Sequence, residues 1–565
     1  MSKLHWRSWG TSWVAVASAA IILAVSGPTV QANPKGTLQV AVVGFDREST
    51  ALWQGSTPML PYIGNMYDPF IAADDQGQLS RDGIVTDWRA NAAGDAITLT
   101  LRSGVKFHNG DLLTGADIKF SIEVWQRPEN ASIAGSALRA GVKSVDVVDD
   151  HKVVIHLKSP NAIFPNFLSW VEGDVGIISK AYFDALPGST FEEKAEAFVN
   201  APVGTGPWKF VKRSLGTDIE FEANLDYWDP KRIPQFAKLR LIKVPEVSTR
   251  MNMLRTNEAD LVVVDSDAAK TLHGDGFNIF VNRNVAHGLM MFYECYNPEM
   301  ITHDIRFRKA AILALDRQAI VDALFPPISP EIGSLGALSA GGPLTGPGVA
   351  GYDPNASTYP YDPEAARQLL EEMGYFRNPK TITAWSFAFA SLPEGPKFIE
   401  AIVGYWEAVG INVKIRQVDW PFVSKKFAAN PQGFDPPGEV GVQSPWYRPS
   451  GLNNFRVFAV STNNIETPIE KERGFQAGGP LGGHCNLDKA DRLYLDALGT
   501  MDPEKLKEAT RRLNAETYED YWAIPLASRS EPWAARASTV SNWRPVPLGP
   551  VYMRYETAVP GPDVK

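Results

Sequence analysis

The sequence predicts an α/β fold, and three stretches carry that prediction. Residues 238–244 (KLRLIKV) alternate as a strand, 245–260 read as a helix, and 261–264 return to a sheet. Residues 362–374, 381–390, 397–409 and 410–420 repeat the theme as helix, strand, helix and strand. Between them in kind is 97–121 (ITLTLRSGVKFHNGDLLTGADIKFS), which reads as strand, tight turn, polar loop and helix start.

The chain has 565 residues, enough for a large core and more than one domain. Its first 32 residues are set apart as an export signal. Lys3 and Arg7 are their only charged side chains, 13–26 is an apolar run too short to span a bilayer, and Val30-Gln31-Ala32 suits cleavage. No Cys follows the site, which argues against a lipid anchor, and no other candidate membrane span is found. Cleavage leaves 53 Lys and Arg against 64 Asp and Glu, a net charge of −11 that makes a general nucleic-acid binder a poor reading. Cys295 and Cys485 are the only cysteines. In an exported protein they can pair, and two buried thiols are the open alternative.

Residues 36–45 open the mature chain as an apolar strand. In 97–101, Ile97, Leu99 and Leu101 form the buried set, while Ser103-Gly104 and Asn109-Gly110 turn the chain. Thr114 stands as N-cap with Asp117 three residues on, close to a capping box. Residues 152–158 (KVVIHLK) read as a partly buried strand with imperfect alternation. Gly204-Thr205-Gly206-Pro207 is a bend, and it lacks the spaced Gly and Lys of a phosphate loop. Asn257 suits a left-handed helix end. In 303–325, Phe307, Ala310, Ala311 and Ala314 share a helical face, and Asp316 caps a second short helix. Asp304, Arg306 and Arg308 read as a solvated or ion-paired helix start rather than a catalytic set. Residues 326–360 form a long Pro/Gly/Ser-rich loop. Asp362, Pro363 and Gly374 punctuate the next helix.

Several of these stretches also resemble one family. The run 97–121 is similar, nearly residue for residue, to the signature of the family 5 solute-binding proteins of ABC transporters, the dipeptide, oligopeptide and nickel receptors. Leu101, Arg102, Gly104, Val105, Lys106, Phe107, His108, Gly110, Leu113, Thr114, Asp117, Phe120 and Ser121 match, with Asn109 in place of Asp. APVGTGPWKFVK at 201–212, FEANLDYW at 221–228, the 245–260 helix and 303–325 resemble further family runs. The likeness covers about 33–325, 361–420 and 487–533. It implies a two-lobed periplasmic-binding-protein fold with the ligand cleft between lobes. Lobe 1 would comprise 33–70, 201–285 and 526–565, with 71–200 as its inserted subdomain, and lobe 2 would be 286–525. It further implies a periplasmic, non-enzymatic, monomeric receptor that closes on a solute and docks on a membrane permease served by a separate ATPase subunit, with no cofactor of its own.

In the peptide receptors of this family an Asp in a "W-x-x-D-Y-P-D-P-x-N-F" stretch holds the ligand's α-amino group. The comparable stretch is 438–458, GEVGVQSPWYRPSGLNNFRVF. Trp446 and the Asn454-Phe455 pair keep part of the pattern, but Tyr447 and Arg448 stand where the acid would be. A guanidinium favours a carboxylate, sulfonate or phosphate, so an anionic group near Arg448 is expected. The open alternative is that Arg448 pairs with a neighbouring acid or faces solvent. Trp446 and Tyr447 are expected as aromatic walls, with Trp53 from lobe 1 and Tyr296 and Asn297 near the crossover as further ligand-binding candidates.

The solute expected is therefore peptide-like or another amino-acid-derived, anionic compound. A nickel, metallophore or oligosaccharide receptor of the same fold is the alternative. The eight His show no close ligand spacing, and His484-Cys485 is the one suggestive pair. A secreted hydrolase is the reading from another class, and no H-E-x-x-H, G-x-S-x-G or P-loop lysine supports it.

Overall fold

The signature run folds as its local chemistry directs. In the computed structural model, which describes residues 33–565 except 46–47, 55–58, 76, 129, 131–132, 340–341, 343, 347–348, 357, 389–391, 420–421, 424–438, 446–447, 461–483 and 546–552, Ala96–Leu101 is a strand with Ile97, Leu99 and Leu101 buried. Thr114 and Asp117 close a reciprocal capping box, and the helix Gly115–Trp125 follows. With β1 as Thr37–Val42, the strands β2 (Val85–Ala90), β3 (Ala96–Leu101), β4 (Val142–Asp149) and β5 (Lys152–Leu157) form an antiparallel sheet in the order β2-β3-β5-β4. β5 alternates more cleanly than its sequence suggests. Val153, Ile155 and Leu157 are buried, and Val154 lies half-buried on the other face.

The signature loop and the Gly-Thr-Gly bend meet. His108 Nε2 donates to the Gly206 carbonyl at 3.0 Å, and its Nδ1 accepts from the Gly204 N–H at 3.4 Å. A Cβ on Gly204 would lie 2.0 Å from the Met66 carbonyl oxygen, and one on Gly206 2.5 Å from that of Asn65. The close approach of two backbones, not a ligand, requires these glycines. Asp68 seals the same junction, accepting from Thr205, Tyr227 and Trp228 at 2.7–2.9 Å. Burial lowers the His108 pKa from 6.5 to about 4. Its neutral form is the folded form. The stability it contributes is therefore full above pH 6.5 and is lost as pH falls through about 4. His108→Gln should lose less unfolding free energy than the parent protein between pH 7 and 4. Urea midpoints at the two pH values check this, and parallel losses would contradict it.

One long mixed sheet carries the rest. Its strands are β1 with β6 (Trp208–Ser214), β7 (Asp218–Ala223), β8 (Lys238–Lys243), β9 (Leu261–Val263), β10 (Asn278–Phe292), β11 (Gly336–Leu338), β12 (Thr381–Ser386), β13 (Asn412–Gln417), β14 (Glu439–Gln443) and β15 (Ala523–Ala535). The order is β13-β12-β14-β10-β15-β9-β1-β8-β7-β6, with β11 paired to β15. The strands on the β6 side belong to lobe 1 and those on the β13 side to lobe 2. Among the described strands, only β10 and β15 run through both, antiparallel from Asn278↔Ala535 to Met291↔Ala523. Their register shifts between Asn282 and Ala286 and between His287 and Leu289, so the ribbon is irregular where the lobes meet.

Helix ends follow their punctuation. Asp304, Asp316 and Asp362 accept from backbone N–H groups as N-caps of Ile305–Leu313, Arg317–Leu324 and Pro363–Glu372. Asn257 and Gly374 take φ of +63° and +77°. Asp304 pairs with Arg306 at 2.6 Å on the surface, an ion-paired helix start. The expected loop 326–360 differs from expectation in one place: Gly336–Leu338 adds to β15 opposite Ala527–Arg529. A three-residue strand has no periodicity to read, and the open edge of β15 supplies the pairing. Cys295 and Cys485 are joined as a disulfide with Cα atoms 4.7 Å apart, which removes Cys485 as a thiolate ligand beside His484. Among the described residues, no helix is long and apolar enough to cross a membrane.

Candidate functional site

The lobe 2 end of the ribbon presents one face to lobe 1. Strand alternation sends Met290, Phe292, Val440 and Val442 into one apolar core and Leu289, Met291, Tyr293 and Trp385 into another. The second core also contains Ala137, Ile163 and Phe167, from the segment that carries the β2–β5 sheet, so that segment packs on the lobe 2 end of the ribbon. Gln443 lies in that junction, 1% exposed. Its Nε2 donates to the Tyr293 hydroxyl at 2.5 Å, and its Oε1 is buried with no hydrogen-bond partner. Tyr293 packs on Trp385 at 5.4 Å between ring centroids, and Trp385 on Phe422 at 5.6 Å.

A polar clasp joins the lobes beside this face. Glu172 lies in the turn after Ser169, between β5 and β6, and is 1% exposed. Arg448 Nη1 donates to its carbonyl oxygen at 2.6 Å, and Asn453 Nδ2 to the same oxygen at 3.0 Å. The Ser450 N–H donates to Glu172 Oε1 at 2.6 Å. Arg456, six residues on, donates to the Ser136 hydroxyl at 3.2 Å and lies over the Phe167 ring. Burial raises the Glu172 pKa, opposed by the Ser450 hydrogen bonds and Arg448, and lowers those of Arg448 and Arg456.

The ribbon itself is polar at its irregular centre. Arg529 and Glu394 form a buried ion pair at 3.1 Å, with side chains 3% and 8% exposed. His287 Nδ1 lies 3.2 Å from the Ser528 hydroxyl, and the His287 backbone N–H donates to the Pro445 carbonyl at 2.8 Å. Glu531 accepts from the Trp533 indole at 3.0 Å, and burial raises its pKa. A cleft for a small polar organic solute combines polar groups with aromatic surface, and this part of the chain holds both. A separate cavity of about 400 Å³, lined by Asp68, Trp170, Trp228, Arg232 and Arg554 among others, takes none of its lining from residues 286–525.

The structure brings together only part of the sequence-derived set. Arg448 and Asn454 are buried at the clasp, and the Arg448 guanidinium meets Glu172 of the other lobe. Trp53 is 4% exposed and packs against Phe198, Phe183 and Phe191 at 4.9–6.4 Å. It thus packs in an aromatic cluster assembled from residues 130 or more positions away. Tyr296 and Asn297 are half-buried in the turn after β10, next to the disulfide, with the Asn297 N–H bonded to the Glu294 carbonyl at 2.8 Å. Trp446 and Tyr447 lie outside the described residues. Sequence reasoning missed Glu172, Tyr293, Gln443 and the Arg529–Glu394 pair. The one available signal was the acidic pair Glu172 and Asp174 set inside the apolar run 167–178.

Comparison with known proteins accords with this architecture. The profile of the bacterial extracellular solute-binding proteins, family 5 (middle region), matches residues 81–449. The chain belongs to this family. Members are binding receptors and not enzymes. The family 5 chain is 28% identical over 365 residues to heme-binding protein A of Haemophilus influenzae, covering 61% of this chain and 63% of that one. It is 27% identical over 360 residues to the dipeptide-binding protein of Escherichia coli, covering 60% of this chain and 63% of that one. The chain therefore spans less than two thirds of the length of these two relatives. The crystal structure of a dipeptide-binding protein from Pseudoalteromonas sp. SM9913 in complex with Met-Leu superposes with a TM-score of 0.75 at 20% identity, covering 93% of this chain and all of that one. The fold is the two-lobed periplasmic-binding-protein fold.

Proposed function

We propose that this family 5 chain is an exported receptor that captures a small peptide-like or other amino-acid-derived solute and delivers it to an ABC transporter permease. Residues 1–32 are its cleaved signal, the mature protein acts in the periplasm as a monomer, and a separate ATPase subunit supplies the energy. The observation that carries this reading is the ribbon of β10 and β15, the two strands common to both lobes, with a polar clasp at Glu172 and Arg448. Solute that touches both lobes favours the closed arrangement by its differential affinity for it. Relatives described as binding dipeptides support the solute class.

Native mass spectrometry of the mature protein as purified, followed by denaturation to release bound material, tests the proposal. A co-purified peptide or amino-acid conjugate is the expected result. A bound metal chelate or oligosaccharide would replace the solute class and keep the receptor. Turnover of peptides without retention would overturn the receptor itself.

A further inference from the structure

Two buried oxygens, one at the clasp and one on β14, have no hydrogen-bond partner among the described residues. Glu172 Oε1 accepts from the Ser450 N–H at 2.6 Å and from Asn166 Nδ2 at 3.4 Å, but Oε2 is buried and accepts from none of the described residues. Gln443 Oε1 is in the same condition across the junction. A buried polar atom left unsatisfied is costly, more so when charged, so native proteins keep few of them without a purpose. Both atoms are acceptors, and they come from opposite lobes. The charges around Glu172 are already matched, since Arg448 and Arg456 face Glu172 and Asp174. The Arg448 guanidinium is turned to the Glu172 carbonyl at 2.6 Å. Among the described residues, neither oxygen has a hydrogen-bond donor.

We infer that Glu172 is a specificity-determining residue that accepts a hydrogen bond from a protonated amine of the solute, with Gln443 Oε1 accepting a second N–H from the other lobe. The inference rests on the receptor reading above and deepens it. The stretch 438–458 has no carboxylate at the position of Tyr447 and Arg448, and Glu172 brings one to that stretch from the inserted subdomain. The solute enters while the lobes are apart, and its N–H groups meet the two acceptors as they close.

The test uses the mature full-length chain and an equimolar mixture of dipeptides with free amino termini and their N-acetylated counterparts. Retained species are read by native mass spectrometry and affinities by calorimetry. The wild type should retain free-amine members, and Glu172→Gln should weaken them by roughly tenfold to a hundredfold, with N-acetylated members unaffected. Glu172→Gln keeps the acceptor for Ser450, and its thermal melt confirms folding. Gln443→Met serves as the second variant and should weaken the same members. Wild-type affinity for free amines in both folded variants would overturn the inference and leave the receptor standing. A wild type that retains no free-amine member would overturn the inference together with the peptide-like solute class.

Discussion

Removing the disulfide as C295A/C485A should lower the stability of lobe 2 by up to about 5 kcal/mol. The bond closes a loop of 190 residues, and in the chain-entropy account the destabilisation of the unfolded state grows with the logarithm of loop length. Both ends lie in lobe 2: Cys295 follows β10, and Cys485 precedes the helix Leu487–Leu498. Lobe 1 should be unaffected. Hydrogen exchange across urea concentrations separates the two: amides of β12 and β14 should open at lower urea, and those of β1 and β8 should not. A reductant should reproduce the double variant in the parent protein and leave the variant unchanged. If amide opening in lobe 2 were the same with and without the bond, the entropic account would fail here.

Arg529→Ala should cost about 3–5 kcal/mol, because it leaves Glu394 buried without its counter-ion. The pair is 3% and 8% exposed, so solvent screening is slight. Glu531, two residues along β15, is also buried and loses the Arg529 charge that opposes the rise in its pKa. Two carboxyl groups then face burial with less compensation, and Glu531, whose pKa burial already raises, can recover by taking up a proton. The loss should therefore be largest at neutral pH and shrink toward pH 5. Removing both partners, R529A/E394A, should cost less than R529A alone. A double-mutant cycle from urea midpoints measures the difference, and additive losses would show that the pair is not coupled.

Features set by a few neighbouring residues were legible in the sequence. The Thr114–Asp117 box, the Asp362 cap and the left-handed Asn257 and Gly374 each depend on chemistry within one helical turn. Strands with clear alternation, such as β3 and β8, were legible for the same reason. The site was less so. Glu172 acquires its meaning from Ser450 and Arg448, over 270 positions away, and Trp53 is enclosed by side chains of two helices that close over it only in the fold. Gln443 looks like one polar residue in a strand. Its unsatisfied oxygen is visible only once Tyr293 occupies its amide nitrogen. The β11 segment pairs because β15 has a free edge, a property its own three residues do not encode.

The contact of His108 with the Gly204–Gly206 bend bears on how proteins of this kind are sorted. The most recognisable letters of the chain are spent on joining its own pieces, with Asp68 and two glycines completing the seam. A search anchored on those letters recruits by scaffold and is blind to cargo. Grouping such receptors by what they carry would instead have to compare the turn after Ser169 and the stretch 438–458, short segments that any alignment weighted by the signature treats as background.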